Sequence, residues 1–186
     1  ALPVLRDLGI RAHVSRGFAF DSDTPQGVTI ETSWTRFGGE LRQRLLLPGA
    51  HAFELGVLIG ADASYFGMTA KAPVPALLPA ARTIALRFGF DARLHLGWRL
   101  DALAGAGYLL TTSRGEIYEH FREPRVRGVD AEFGFAIRLE AGLELRLAGR
   151  YTRYFASFRP MLGDTYVAGG ALDEQLQAGL GLRYAH

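Results

Sequence analysis

Ile84-Ala85-Leu86-Arg87-Phe88-Gly89-Phe90-Asp91-Ala92-Arg93-Leu94-His95-Leu96-Gly97-Trp98 alternates without a break. Ile84, Leu86, Phe88, Phe90, Ala92, Leu94, Leu96 and Trp98 take every second position, and Ala85, Arg87, Gly89, Asp91, Arg93, His95 and Gly97 take the others. Successive side chains of a strand point to opposite faces, so one face of this segment is apolar and the other ionic. The segment is longer than the ~5–6 residues of an ordinary globular strand. Such a strand suits a closed barrel with a lipid-facing wall.

The same period-2 pattern marks seven further strands, near 8–20, 28–47, 52–66, 101–112, 127–140, 143–158 and 172–184. In the last, Leu172, Leu176, Leu180, Leu182 and Tyr184 oppose Gln175, Gln177 and Arg183. The strand at 101–112 is rich in Gly and Ala, and its facing is ambiguous. Connections near 48–51 (with Pro48-Gly49), 99–101 and 141–142 (Ala141-Gly142) are tight, and those near 21–27, 67–81, 113–126 and 159–171 are long. Alternating short and long connections predict an all-β, antiparallel up-and-down membrane β-barrel of about eight strands, with both termini on the short-turn side. Residues 1–7 read as an N-terminal segment or linker and 8–186 as the barrel domain.

Composition narrows the classes. The 186 residues suffice for one domain, and 48% hydrophobic content argues against disorder. No run approaches the ~20 apolar residues of a transmembrane helix, which does not exclude a barrel. Without Cys there is no disulfide or thiolate site. A net charge of +2 gives no reason to expect a nucleic-acid partner. Lys71 is the only lysine, so Arg carries the positive charge. No signal peptide opens the sequence, as expected of a mature terminus or of a domain from a longer protein.

Alternation alone does not fix which face is inside. The lumen of a barrel of ~8 strands is only just wide enough for side chains. Several Leu, Ile, Phe or Trp per strand exceed that volume, whereas the polar face interleaves Gly38, Gly89, Gly179 and Gly181 with long Arg, as a narrow interior requires. The polar face also carries nearly balanced charge. Its positive members are Arg11, Arg42, Arg44, Arg87, Arg93, Arg138, Arg146, Arg150 and Arg183; its negative members are Glu40, Glu54, Asp62, Asp91, Asp130, Glu132, Glu140 and Glu144. Near balance suits a desolvated lumen, since an unpaired buried charge costs several kcal/mol. The expected lumen is therefore charge-filled, with His13 and His95 inside it. Two aromatic girdles are expected on the other face, with Phe53, Trp98 and Tyr184 at the short-turn rim and Phe37, Tyr65, Tyr108, Tyr151 and Phe155 toward the long-loop rim.

Gln177-Ala178-Gly179-Leu180-Gly181-Leu182-Arg183-Tyr184 resembles the C-terminal β-signal of bacterial outer-membrane proteins, with Gln177, Gly179, Leu182 and Tyr184 at its four defined positions. Ala185-His186 follow, where that family usually stops at the aromatic. In pattern the whole chain resembles the small outer-membrane barrels of the OmpA transmembrane-domain and OmpX type. The resemblance implies recognition by the barrel-assembly machinery, a Gram-negative outer-membrane location, and contact with the lipid bilayer and lipopolysaccharide. It implies little about activity.

Candidate chemistry is sparse. Barrel enzymes resembling lipid A deacylases or palmitoyltransferases need Ser, His and an acid at the outer rim. Only His120 falls in a long loop, and no His-x-Ser-Asn motif occurs, so no enzyme activity and no cofactor are expected. Glu116, Glu119, His120 and Glu123 have the spacing of one helix face, but Arg114, Arg122, Arg125 and Arg127 make a solvated charged loop the simpler reading and no metal is expected. The loop at 67–81, apolar and with Pro73, Pro75 and Pro79, is the candidate contact for a protein partner. The expected role is a membrane anchor or structural protein, with adhesion or binding through its loops. The alternatives are a small pore, a lipid-modifying enzyme, and a soluble lipocalin-like carrier with the apolar face inward.

Overall fold

The computed structural model describes residues 8–17, 20–23, 29–45, 52–70, 81–113, 121, 123–165 and 168–184. They form one antiparallel sheet: β1 (Leu8–Arg16), β2 (Phe20–Asp23), β3 (Thr29–Leu45), β4 (Phe53–Ala70), β5 (Ala81–Gly97), β6 (Leu100–Ser113), β7 (Arg125–Arg138), β8 (Leu143–Ser157) and β9 (Gly170–Tyr184). The spatial order is β1-β3-β4-β5-β6-β7-β8-β9. β2 is a short continuation of β1. It pairs with 29–32 of β3, whereas β1 pairs with 35–43. The wall therefore has eight up-and-down strands, each hydrogen-bonded to its neighbour in sequence. Among the described residues there is no helix. The sheet is curled into a half-barrel, with β1 and β9 as its edges.

Two hairpins show how the tight turns are made. β5 and β6 meet at the pair Gly97↔Leu100 around Trp98 and Arg99; Trp98 has φ of 48°, and Gly97, the end of β5 beside a register shift, has φ of 103°. Ala141 and Gly142, between β7 and β8, have φ of 55° and 75°. Positive φ at a two-residue turn matches the right-handed strand twist, and Gly takes it without steric cost. The Pro48-Gly49 turn lies outside the described residues.

Burial follows the alternation. In β5, Ala85 and Arg87 are buried while Leu86, Phe88, Phe90, Leu94 and Leu96 are exposed. β7 repeats the pattern, with Val126, Asp130 and Ala136 buried and Val129, Phe133, Phe135 and Ile137 exposed. The concave face is therefore the ionic one. β6, ambiguous by sequence, follows its neighbours through register: Leu103↔Gly134 and Leu109↔Gly128 put its odd residues inward, and Asp101, Leu103, Leu109 and Thr111 are buried.

The interior leaves no spare volume beside its long side chains. A Cβ on Gly107 would stand 2.6 Å from an Asp130 carboxylate oxygen and 2.9 Å from Arg87 Nε. A Cβ on the outward Gly149 would meet nothing nearer than 3.7 Å. Gly179 and Gly181, read from sequence as interior space-savers, differ. Nothing lies within 4 Å of a Cβ at either, because β9 is an edge with little packed against its inner face. We expect Gly107→Ala to lower stability by about 1–3 kcal/mol through forced displacement of Arg87 or Asp130. Gly149→Ala should change it by less than about 1 kcal/mol. Urea-unfolding midpoints of the two variants test the contrast.

Candidate functional site

The inward charges form layers stacked along the curl. At mid-height Arg87, 2% exposed, reaches across two strands on either side. Its Nε donates to Asp130 Oδ2 at 2.7 Å, its Nη2 to Asp130 Oδ1 at 3.0 Å, and its Nη1 to Glu40 Oε1 at 2.7 Å. Glu40 also accepts from Arg11 Nε at 2.8 Å. One chain of charge thus ties β1, β3, β5 and β7. Beside it Arg150 donates to Glu132 at 2.5 Å and comes within 4.0 Å of Asp62 on β4.

Toward the long-connection end, Arg36 grips Asp62 through Nε at 2.7 Å and Nη2 at 2.5 Å, with His13 Nε2 at 3.5 Å from the same carboxylate. Toward the short-turn end Arg42 donates to Asp91 at 2.8 Å, and Glu144 accepts from Arg93 and Arg146. Asp101, fully buried, has His95 Nδ1 at 2.6 Å, Arg93 Nε at 3.4 Å and an Arg138 nitrogen at 3.5 Å. Arg44 with Glu54 at 3.1 Å, and Arg183 at 3.9 Å from Glu144, complete the mouth.

The sequence-derived network is therefore brought together except at one position. Glu140 is a correction. β7 ends at Arg138, so Glu140 sits in the turn, its side chain 89% exposed and 3.9 Å from Arg99. Two members were missed. Arg36 shares the parity of Glu40 and Arg42, so the alternation held its signal; Asp101 opens the Gly/Ala-rich strand whose facing was ambiguous. Also missed was a small apolar cluster of Ala85, Leu109, Val126, Tyr154, Ala156 and Phe158 inside the long-connection end, with Phe121 stacked on Phe158 at 4.3 Å between ring centroids. It carried no alternation signal, since part of it comes from residues beyond the strand ends.

On the convex face Phe37, Phe53, Trp98, Tyr108, Tyr151, Phe155 and Tyr184 are exposed, Trp98 at 92%. Tyr65 stacks on Phe37 at 5.7 Å, with the Arg82 guanidinium 5.1 Å over its ring. The Tyr151 hydroxyl donates to Glu174 at 2.5 Å. In the candidate assembly signal, Gln177 and Gly179 lie on the inward side of β9, and Leu182 and Tyr184 are exposed on the outward side.

Of the loop at 67–81, residues 67–70 and 81 belong to β4 and β5 and the rest lies outside the described residues. So do Glu116, Glu119 and His120. Glu123 is described and faces Arg159 at 3.5 Å. Among the described residues no group of His, Asp and Glu is arranged to hold a metal. Comparison with protein-family models, with curated proteins and with solved structures finds no match for the chain.

Removing one member of a buried ion network leaves the others charged and unpaired, at a cost of about 3–5 kcal/mol. Arg87→Met should therefore destabilise by about that amount, by orphaning Glu40 and Asp130. Glu140→Gln should stay within about 0.5 kcal/mol. Equilibrium unfolding in urea separates the two.

Proposed function

We propose that this chain is a small outer-membrane β-barrel. Its convex face meets lipid, its lumen is plugged by paired charges, and it anchors and displays its long connections at the cell surface as a structural or binding protein. The observation that carries this reading is the direction of the side chains. Most Leu, Ile and Phe of the strands point away from the protein, while Arg, Asp and Glu are buried within it; Leu58, Leu103, Leu109 and Trp34, which donates to Ser64 Oγ, are inward exceptions. A soluble carrier of apolar ligands would need the opposite arrangement.

The charge map of the convex face supports it. The outward runs 84–96, 129–137, 143–151 and 176–184 contain no charged residue on that face. Each provides about the ~9–11 tilted residues that cross a bilayer, or more. Among the described side chains, the outward charges Arg16, Glu31, Arg82, Arg125, Arg127, Arg153 and Glu174 all lie toward the long-connection ends of their strands. A charge on the lipid face costs about 2–4 kcal/mol at mid-membrane and little at the interface, so this placement is the inexpensive one. Aromatic rings at both borders suit headgroup level.

A bilayer does not tolerate free strand edges, because unpaired N–H and C=O groups have no water to meet them. The membrane form therefore requires β1 and β9 to pair, and eight strands bring them together antiparallel. In this reading the motif Gln177, Gly179, Leu182 and Tyr184 lies on the closing strand, where the barrel-assembly machinery would engage it.

The test is electrophoresis in cold SDS with and without boiling, on protein refolded into phosphatidylcholine vesicles. We expect a heat-dependent shift, which Phe133→Arg on the mid-band should abolish or lower in temperature, at about 2–4 kcal/mol. Planar bilayers should show little or no conductance, since in the closed form the buried ion pairs and the Phe121–Phe158 cluster would block the lumen. Solubility without detergent and no shift would return the chain to the soluble β-sheet proteins.

A further inference from the structure

The outward charges are not equally satisfied. Arg153 lies 3.5 Å from Glu174 and 5.0 Å over the Phe155 ring, and Arg159 lies 3.5 Å from Glu123. Arg125 and Arg127 are exposed, and among the described residues no carboxylate lies within ion-pair distance of either. They stand two positions apart on one face of β7, so their Cα atoms are separated by ~7 Å. Beside them the surface is concave. Tyr108, Arg125, Arg127, Val129, Phe155 and Ser157 line an open groove of about 430 Å³. Register fixes its shape. Arg127 is flanked by Leu110 and Phe155, and Val129 by Tyr108 and Arg153. The two guanidinium groups, unpaired among the described residues, therefore sit on the long-connection side, and an apolar floor runs from them toward the uncharged band.

We infer that this groove binds the phosphomonoester headgroup of an anionic lipid, with Arg125 and Arg127 on the phosphate and Tyr108, Val129 and Phe155 under the first part of an acyl chain. Guanidinium forks match phosphate oxygens bidentately. Two of them suit a phosphomonoester, which carries roughly −1.5 to −2 near neutral pH. Two arginines without a carboxylate partner among the described residues, on a wall proposed to face lipid, are costly in hydrocarbon and favourable against a phosphate layer. The apolar floor continues into the wall proposed to face lipid, and this selects a lipid over free phosphate. The inference rests on the membrane reading above.

The experiment is native mass spectrometry of the full chain released from detergent and titrated with dipalmitoyl phosphatidic acid, with dipalmitoyl phosphatidylcholine as the zwitterionic comparison. We expect the phosphatidic acid adduct to survive at activation that strips phosphatidylcholine. R125Q/R127Q should weaken the adduct about tenfold or more, the loss of at least one charge-assisted hydrogen bond. R125K/R127K should recover part of it, and R159Q should leave it unchanged. Millimolar inorganic phosphate should compete weakly. Equal retention of both lipids, or a double glutamine variant that binds like the parent, would overturn the site. Full competition by inorganic phosphate would overturn its assignment to a lipid. The heat-dependent shift of the same samples separates the two failures. A shift without Arg-dependent selectivity sinks only this site, and no shift sinks the membrane reading with it.

Discussion

The Arg87 guanidinium, held between Asp130 and Glu40, is the constraint on which the rest of the sheet depends. A cation that is 2% exposed persists only where anions meet nearly all of its donors. Those anions come from β3 and β7, two strands away on either side, so the pairing requires the sheet to curl. Arg150 with Glu132 and Asp62, and Arg36 with Asp62, extend the demand to β4 and β8. The interior is held by ionic geometry more than by hydrophobic burial. Its largest fully buried side chains are Arg87, Leu109, Thr152 and Asp101. Such an interior is weak evidence of high stability, since buried ion pairs roughly offset their desolvation. Each pair works only with its strands in one register.

The convex face obeys the complementary rule. Once the ionic positions turn inward, period 2 sends the intervening Leu, Phe and Ile outward, and no second layer among the described residues covers them. Ordinary soluble sheets bury one face against a partner layer. Here the described residues supply none, and the apolar face covers the whole wall. That is why the proposed function turns on the solvent this protein occupies. In water the face would be an aggregation surface; in lipid it is the ordinary exterior of a barrel.

The strands were legible in the sequence through alternation, their order through the alternating short and long connections, and the facing of the sheet through the volume and charge balance of the polar face. β3 to β9 fall within a few residues of where Leu, Phe and Arg alternate. β6 was the exception, since Gly105, Ala106 and Gly107 give no polarity contrast; its facing is inherited from Asp91 and Asp130 on its neighbours. The first strand differed as well. A pattern read as continuous over 8–20 is broken after Arg16 and resumes at Phe20. Charge membership was legible where the alternation was clear, Arg36 included, and failed where it was not: Asp101 lies in the Gly/Ala-rich β6, and Glu140 lies past the end of β7. The Phe121–Phe158 stack was not legible, because Phe121 belongs to a long connection and Phe158, the last residue of the run read over 143–158, lies just past β8. No local pattern pointed to the Arg125–Arg127 groove either. Its walls come from β6, β7 and β8 side by side, and only their register puts Tyr108, Arg127 and Phe155 together.

The strict parity of the wall also bears on how the chain is assembled. Sliding any strand by one residue exchanges its two faces completely. For β5 that slip would send Arg87, Asp91 and Arg93 outward and drive Phe88 and Phe90 into a lumen with no room for them. Every misplaced residue adds its own penalty, so the error grows with strand length and does not average out. A mis-registered intermediate is therefore far less stable than the native pairing, and a slipped strand has a steep incentive to release and try again. The alternation that sets the architecture thus doubles as a proofreading device for building it.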